Sequence, residues 1–497
     1  MIKKGSGNKL KTSIATIAVL IWFSAGLQGQ QSNLLYYMRG VPQSHLLNPA
    51  TQPRCGFYLG LPGASPLQLN VENSAFSLSD ILWSDGDSTI TFMHPDGDKE
   101  KFLNQFGKAN YVSADVSTSL VSFGFRSENL YFSFDITQKV NSRFSYPGDI
   151  IRLALEGNEQ DDEFDLSSLG ANIMTYTEFS MGVSHQLNDM ITFGYRGKIL
   201  FGGANISTRK SDIVLTTSFE NWAIDSKYDL NVSVPGLTIE RDSTGSFDLD
   251  NLDIDDDLQS SDYISSITGN FGLGLDLGIH IKPIEDLTVS ASILDLGYIR
   301  WKNFTYNLVQ DTRFVFDPEV IFERNDSGEV VTKIWGETDF GDAILDSLES
   351  SFIDNNSETE TAYTTFLPAK IYLGVKYDII DEISIGLLSR SEIYKGRIRQ
   401  QLSLSANFYP IHAVSASLNY TIMNRTFNNF GIGLALKAGP FNWYLISDNI
   451  PLVYAREVSS NIILPYKART VNFRIGFNLV FGCQKDRRKF GDLPLFF

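Results

Sequence analysis

Long stretches of this chain alternate strictly between apolar and polar residues. Phe271, Leu273, Leu275, Leu277, Ile279 and Ile281 alternate with Gly272, Gly274, Asp276, Gly278 and His280. Val471, Phe473, Ile475, Phe477, Leu479 and Phe481 do the same against Asn472, Arg474, Gly476 and Asn478. Neighbouring side chains on a strand point to opposite faces, so each stretch has one greasy and one wet face. About a dozen such stretches, each roughly 10 residues long, fit a transmembrane β-barrel. Lipid offers no partner to a free strand edge, so such a sheet must close on itself. A mean hydropathy of −0.09 follows, because the polar face cancels the apolar one.

The N-terminus reads as an export signal over residues 1–29. Lys3, Lys4, Lys9 and Lys11 form its basic start, Ile14 to Phe23 its apolar stretch, and Leu27-Gln28-Gly29 a cleavage site. The apolar stretch is too short to span a bilayer. Removing it changes the balance of 41 basic and 58 acidic residues to 41 − 4 = 37 against 58, or −21. So acidic a chain is a poor partner for nucleic acid. The expected location is the outer membrane, in contact with its lipid.

Connections alternate between tight and long. Tight joints fall at Arg126–Asn129, Gln186–Asp189, Pro283–Asp286, Asp378–Glu382, Tyr409–His412 and Gly439–Asn442. Long ones span 79–110, 141–170, 207–268, 301–361 and 449–469. The predicted fold is all-β: an antiparallel up-and-down barrel of about 14 strands (roughly 12–16), with short turns periplasmic and long loops outside. The domains expected are a signal peptide (1–29), an N-terminal hatch (30–65), the barrel (66–482) and a periplasmic tail (483–497). Residues 213–219 and 228–234 predict an extra hairpin in the longest loop. Helical spacing appears at Lys99–Phe106, Gly148–Leu155 and Asp342–Phe352, predicting short helices at the outer mouth. Trp301 and Trp443 fall near strand ends, either in an aromatic girdle or in a core.

Two places break the alternation. Near Leu120 the apolar set changes face, which predicts a bulge. Asp295 falls in phase with apolar residues and reads as a mark of the outer rim. The two cysteines, Cys55 and Cys483, flank the barrel region, and in a closed barrel its ends are neighbours. They form either a disulfide across the closing seam or two unpaired thiols.

Chemistry-bearing motifs are scarce. His45, His94, His185, His280 and His412 form no metal-ligand spacing, and neither a nucleophile elbow nor a phosphate-binding loop occurs. An enzyme, a metal site and a cofactor are therefore not expected. The acidic run Asp248, Asp250, Asp253, Asp255, Asp256 and Asp257 lacks the glycine and closing glutamate of a calcium loop and reads as a solvated loop. The alternation places Asp115, Asp135, Arg196, Lys198, Asp276, Lys376, Arg390, Asn407, Asn419, Arg474 and Asn478 inside the lumen. Side chains alone do not fill a barrel this wide, and their mixed charge favours internal ion pairs and a plug over an open pore.

Leu46-Leu47-Asn48-Pro49-Ala50, ahead of the first strand, resembles the segment that members of the long-chain fatty-acid transporter (FadL-type) superfamily carry in an N-terminal hatch. Val41-Pro42-Gln43-Ser44, Leu294-Asp295-Leu296-Gly297 with Trp301, Leu367-Pro368-Ala369-Lys370, and the closing Asn472-Phe473-Arg474 to Phe481-Gly482 more closely resemble a related Bacteroidota outer-membrane barrel family of unknown function. The resemblance implies a 14-stranded barrel with Asn48, Pro49 and Ala50 in the hatch. It implies passive transport of hydrophobic or amphipathic small molecules or, alternatively, a structural barrel serving a secretion or surface protein at its outer loops. None of the superfamily's ligand residues has a motif match here.

Overall fold

The structure is a computed structural model. It describes residues 33–85, 88–157, 162–218, 222–241, 247–254, 268–316, 322–324, 330–332, 356–423, 426–450, 454–456, 463–465 and 469–483. The expected signal, the tail after Cys483, Asp255 to Asp257 and the expected helix Asp342–Phe352 lie outside these residues.

Fourteen antiparallel strands close into a barrel. The first is broken into Cys55–Gly60 and Leu67–Asn73. The rest are Asn110–Ser127, Leu130–Tyr146, Gly170–Gln186, Ile191–Thr217, Phe271–Ile284, Leu287–Trp301, Ala369–Ile380, Ile383–Tyr394, Arg397–Ile411, Val414–Met423, Thr426–Ala438, Phe441–Ile450 and Thr470–Cys483. Each pairs with its successor, and the last pairs with both halves of the first, Phe57 opposite Phe481 and Leu69 opposite Phe473. No edge remains, which is what a bilayer requires.

The alternation fixes which face meets lipid. Leu273, Leu275, Leu277, Val375, Leu387, Leu404 and Phe477 are exposed on the outer wall. Their neighbours Asp276, Ser405 and Asn478 are buried on the inner face. An apolar belt over polar, hydrogen-bonded inner positions is the inverse of a water-soluble barrel and spans a membrane. Trp443 stands half-buried beside Phe477, with ring centroids 6.5 Å apart.

The first strand starts earlier than expected. The expected hatch–barrel boundary at 65/66 is corrected to about residue 54, because Cys55–Gly60 already hydrogen-bonds into the wall on both sides. The sequence obscures this because residues 61–66 interrupt the alternation, six residues facing only Gly476 and Phe477 across the seam. The second strand carries the predicted bulge, a register shift between Ser119 and Val121 with Leu120 turned outward. The two irregularities touch: Gly63 N donates to Ser119 O (2.9 Å) and Ser119 N to Pro66 O (3.0 Å).

At the long-loop end the fifth strand overshoots the wall. Its far half pairs with Trp222–Ser233, which pairs with Thr305–Phe316. The predicted hairpin therefore exists, but it builds an outer sheet and leaves the wall count at 14. Short helices occupy Lys99–Leu103 and Gly148–Glu156. Trp301 is fully buried with Met174, Tyr176, Leu200 and Tyr363, which decides for the core placement over the girdle. Its indole N–H finds Thr365 Oγ1 at 2.8 Å, as a buried tryptophan requires.

Candidate functional site

Residues 33–53 lie inside the barrel as a plug with two short 3-10 turns, Leu34–Tyr36 and Pro42–Leu46. Their apolar residues Leu34, Leu35, Met38, Val41 and Leu47 form one buried cluster with Leu294, Tyr372, Leu388, Tyr444 and Ile446 of the wall. The turns pair only part of the segment's backbone, and the wall supplies further partners. Ser292 Oγ donates to Leu47 O (2.7 Å), Ser184 Oγ to Ala50 O (3.0 Å) and Asn442 Nδ2 to Gly40 O (3.1 Å). Leu34 N donates to Asp448 Oδ1 (2.7 Å), and Tyr37 Oη to Leu387 O (2.8 Å).

Asn48, Pro49 and Ala50 sit at the centre of this seat. Asn48 Nδ2 donates to Tyr36 Oη (3.0 Å) and Ala291 O (3.2 Å), while its Oδ1 accepts from Ala50 N (2.9 Å). Two lumen-facing glycines make the approach possible. A Cβ on Gly194 would stand 2.0 Å from the Pro49 carbonyl carbon, and one on Gly278 would stand 2.1 Å from Asn48 Oδ1. Only glycine fits against a backbone this close.

Above the plug lies a buried ion network. Arg196 Nη2 pairs with Asp276 (2.7 Å) and also donates to Leu46 O (3.0 Å), joining network to plug. Lys198 Nζ meets Asp276 (2.9 Å), Asp295 (2.5 Å) and Glu178 (3.5 Å). Lys139 pairs with Glu178 (2.7 Å) and Lys370 with Asp295 (2.6 Å). Each cation meets at least one carboxylate, and Lys198 meets three, the condition under which buried charges are tolerated. Asp295 enters through a bulge: Leu294 and Asp295 together oppose Asp276, and Asp295 takes φ +59°. Its reading as a rim marker is corrected, since the bulge turns it inward to meet three lysines.

A second cluster sits nearer the long loops. Glu392 meets Arg390 (2.7 Å), Arg143 (3.2 Å) and Arg399 (3.8 Å). Arg399 lies 3.7 Å over the Tyr111 ring, and Tyr111 Oη donates to Glu72 (2.5 Å). Asp115 accepts from Asn70 (2.6 Å) and Asn141 (2.7 Å).

The remaining inward positions are placed as follows. Asp135 accepts from Ser122 (2.7 Å) and lies 3.2 Å from the plug's His45. Lys376 pairs with Asp378 (2.8 Å), which also holds Arg39 of the plug (2.5 Å). Asn407 reaches Ser384 (3.5 Å), Asn419 donates to Asp448 (2.9 Å), and Asn478 donates to Gln43 of the plug (3.1 Å). Arg474 Nη2 donates to Gln68. Cys55 and Cys483 are joined by a disulfide across the closing seam. His280 accompanies Thr51 of the plug (3.2 Å). Among the described residues, no cluster of three or more His, Cys, Asp or Glu is arranged to hold a metal.

Lys139, Glu178 and Lys370 escaped the sequence reading although they share inward parity with Asp135, Ser180 and Lys376. The plug residues Tyr36, Tyr37, Arg39 and Gln43 left no periodic signal at all. Between plug and long loops the network leaves a cavity of about 90 Å³, bordered by Leu46, Leu47, Tyr176, Tyr372 and the charged groups, and reaching Pro66 in the interruption of the first strand and Val116 and Ser117 of the second.

No curated protein matches the sequence. Among solved structures, the Ralstonia pickettii toluene transporter TbuX is 8% identical, with 92% of this chain and 97% of that one covered at a TM-score of 0.39. The Pseudomonas putida toluene transporter TodX is 10% identical, with 92% and 95% covered at 0.35. A Pseudomonas aeruginosa FadL homologue is 11% identical, with 93% and 100% covered at 0.38. The model of the family of unknown function DUF5723 matches residues 49–448, from the plug's Pro49 to Asp448 on the thirteenth strand, and this chain belongs to that family.

Proposed function

We propose that this barrel resides in the outer membrane and passively transports small amphipathic molecules, which enter from the long-loop side and leave toward lipid at the interrupted first strand. The observation that carries this is the cavity above the plug, bordered by apolar Leu46, Leu47 and Tyr372 and by charged groups, and reaching Pro66 in the interruption of the first strand. Its volume of about 90 Å³ holds only several waters at roughly 10–15 Å³ each. A passing molecule must therefore displace part of the plug or of the segment 61–66. Wholly apolar cargo fits poorly, because it would strip solvent from the ion network without replacing hydrogen bonds.

The bonding of the plug to strands around the whole wall, together with the outer sheet, favours a second reading: a non-transporting barrel that presents its loops to a secretion or surface protein. Proteoliposomes separate the two. On the transport reading, the intact protein passes a fluorescent amphiphile faster than protein-free vesicles but carries no steady ion current, and deleting residues 33–53 opens a current. Amphiphile flux equal to that of empty vesicles removes the transport reading. A large steady current from the intact protein removes both.

A further inference from the structure

The cations that border the lumen cavity are all ion-paired except one. Lys139, Arg196, Lys198 and Lys370 each meet a carboxylate within 4 Å. Arg474, on the closing strand, is 5% exposed and forms no ion pair among the described residues. Its Nη2 donates to Gln68, while Nε and Nη1 are buried without an acceptor. Tyr444 projects its phenol over Gly476, the next inward position of the same strand, and its Oη is likewise buried without a partner. Asp448 is the carboxylate of the adjacent strand, but it forms no ion pair with Arg474: its Oδ1 is taken by Leu34 N (2.7 Å) and Asn419 Nδ2 (2.9 Å), and its Oδ2 is itself buried without a partner.

Two kinds of orphan must be distinguished. Asn472 Nδ2 and Asn70 Oδ1 are unpartnered residues directly opposite one another, and a single water satisfies both. Water does not solve the problem at Arg474, because a guanidinium stays charged at any accessible pH. A buried charge with no carboxylate bonded to it calls for a closer counter-charge, and arginine nitrogens bind carboxylate and phosphate oxygens most strongly. We infer that Arg474, with Tyr444 beside it, holds one small oxyanion group in the lumen where plug, closing strand and cavity meet. The ligand class is a phosphate or carboxylate, either free or as the headgroup of an amphiphile. The site shares the cavity of the proposed transport route but does not depend on transport.

Calorimetric titration of the folded protein in phosphate-free detergent with inorganic phosphate tests this. One phosphate per barrel is expected. Arg474→Met should weaken binding at least tenfold, about 1.4 kcal/mol, and Arg474→Lys should leave an intermediate affinity. Arg209→Met, at an exposed residue of the outer sheet, should bind like wild type. Migration of unheated samples on gels reports folding of each variant, and Arg474→Met is expected to fold because it removes an unpaired buried charge. Decanoate that competes with phosphate identifies the group as a headgroup, whereas decanoate without effect identifies a free anion. No binding by wild type, or equal binding by Arg474→Met, overturns the inference. So does binding that appears only in Asp448→Asn, which would expose Asp448 as the native counter-charge. Amphiphile flux without phosphate binding removes this site and leaves the transport reading, and binding without flux does the reverse.

Discussion

Replacing Gly194 with alanine drives a methyl group into the plug. The added Cβ would lie 2.0 Å from the carbonyl carbon of Pro49, and 2.2 Å from both Pro49 O and Ala50 N. All three are backbone atoms, so no rotamer change relieves the clash. Reaching ordinary contact at 3.4 Å requires a displacement of 3.4 − 2.0 = 1.4 Å. That shift separates Ser184 Oγ from Ala50 O, now 3.0 Å apart, and strains the Ala50 N to Asn48 Oδ1 bond of 2.9 Å. Overpacking costs about 1–3 kcal/mol, and two weakened hydrogen bonds add about 1 kcal/mol each. The expected loss is therefore about 3–5 kcal/mol. Gly197, on the same strand but facing outward, has nothing within 4 Å of its would-be Cβ, and Gly197→Ala should stay within about 0.5 kcal/mol of wild type. Urea unfolding followed by gel migration gives both values, and bilayer recordings show whether the displaced plug leaks. Equal stability of the two variants, with no current from either, would refute the seating of residues 48–50 against this strand.

The other structural claims are open to similar tests. Asp276→Asn leaves Arg196 and Lys198 short of a buried partner and should cost about 3–5 kcal/mol in the same unfolding assay; a loss below about 1 kcal/mol would mean that the pairs are solvated. Leu277→Arg places a cation on the lipid face near mid-strand and should lower stability by about 2–4 kcal/mol in bilayers, whereas an unaffected variant would contradict the membrane belt. A protease cut between residues 157 and 162 should yield two fragments that stay joined through Cys55–Cys483 on gels until reductant is added. Fragments that separate without reductant would show that the bond does not form.

The wall was legible because its physics is local. A period of two assigns every residue from Phe271 to Ile281 to a face without knowledge of its neighbours. Where the period fails, legibility fails with it. Gly60 to Leu67 breaks phase, so the sequence alone assigns the strand at Cys55 to the hatch. Asp295 sits inward only because two residues oppose one; the phase break shows in the sequence, as it does at Leu120, but not the direction in which the charged side chain turns. The plug is harder still. Tyr36, Arg39 and Gln43 are positioned by partners hundreds of residues away, as with Gln43 Nε2 and Asn478 Oδ1 at 2.6 Å, and no window of sequence contains such a contact.

These contacts also tie the two halves of the site together. Arg196 uses one guanidinium for Asp276 and for the carbonyls of His45 (3.4 Å) and Leu46 (3.0 Å), so the ion network sets the height at which the plug rests. Residues that share a partner do not contribute independently. Gly194→Ala displaces the plug at Pro49, three residues beyond Leu46, and Asp276→Asn frees the arginine that grips Leu46. Combining the two should cost less than their sum by about 0.5–3 kcal/mol, because a plug already unseated has less of Arg196 to lose. Strict additivity in the double-mutant cycle would mean that plug and network are neighbours without being coupled.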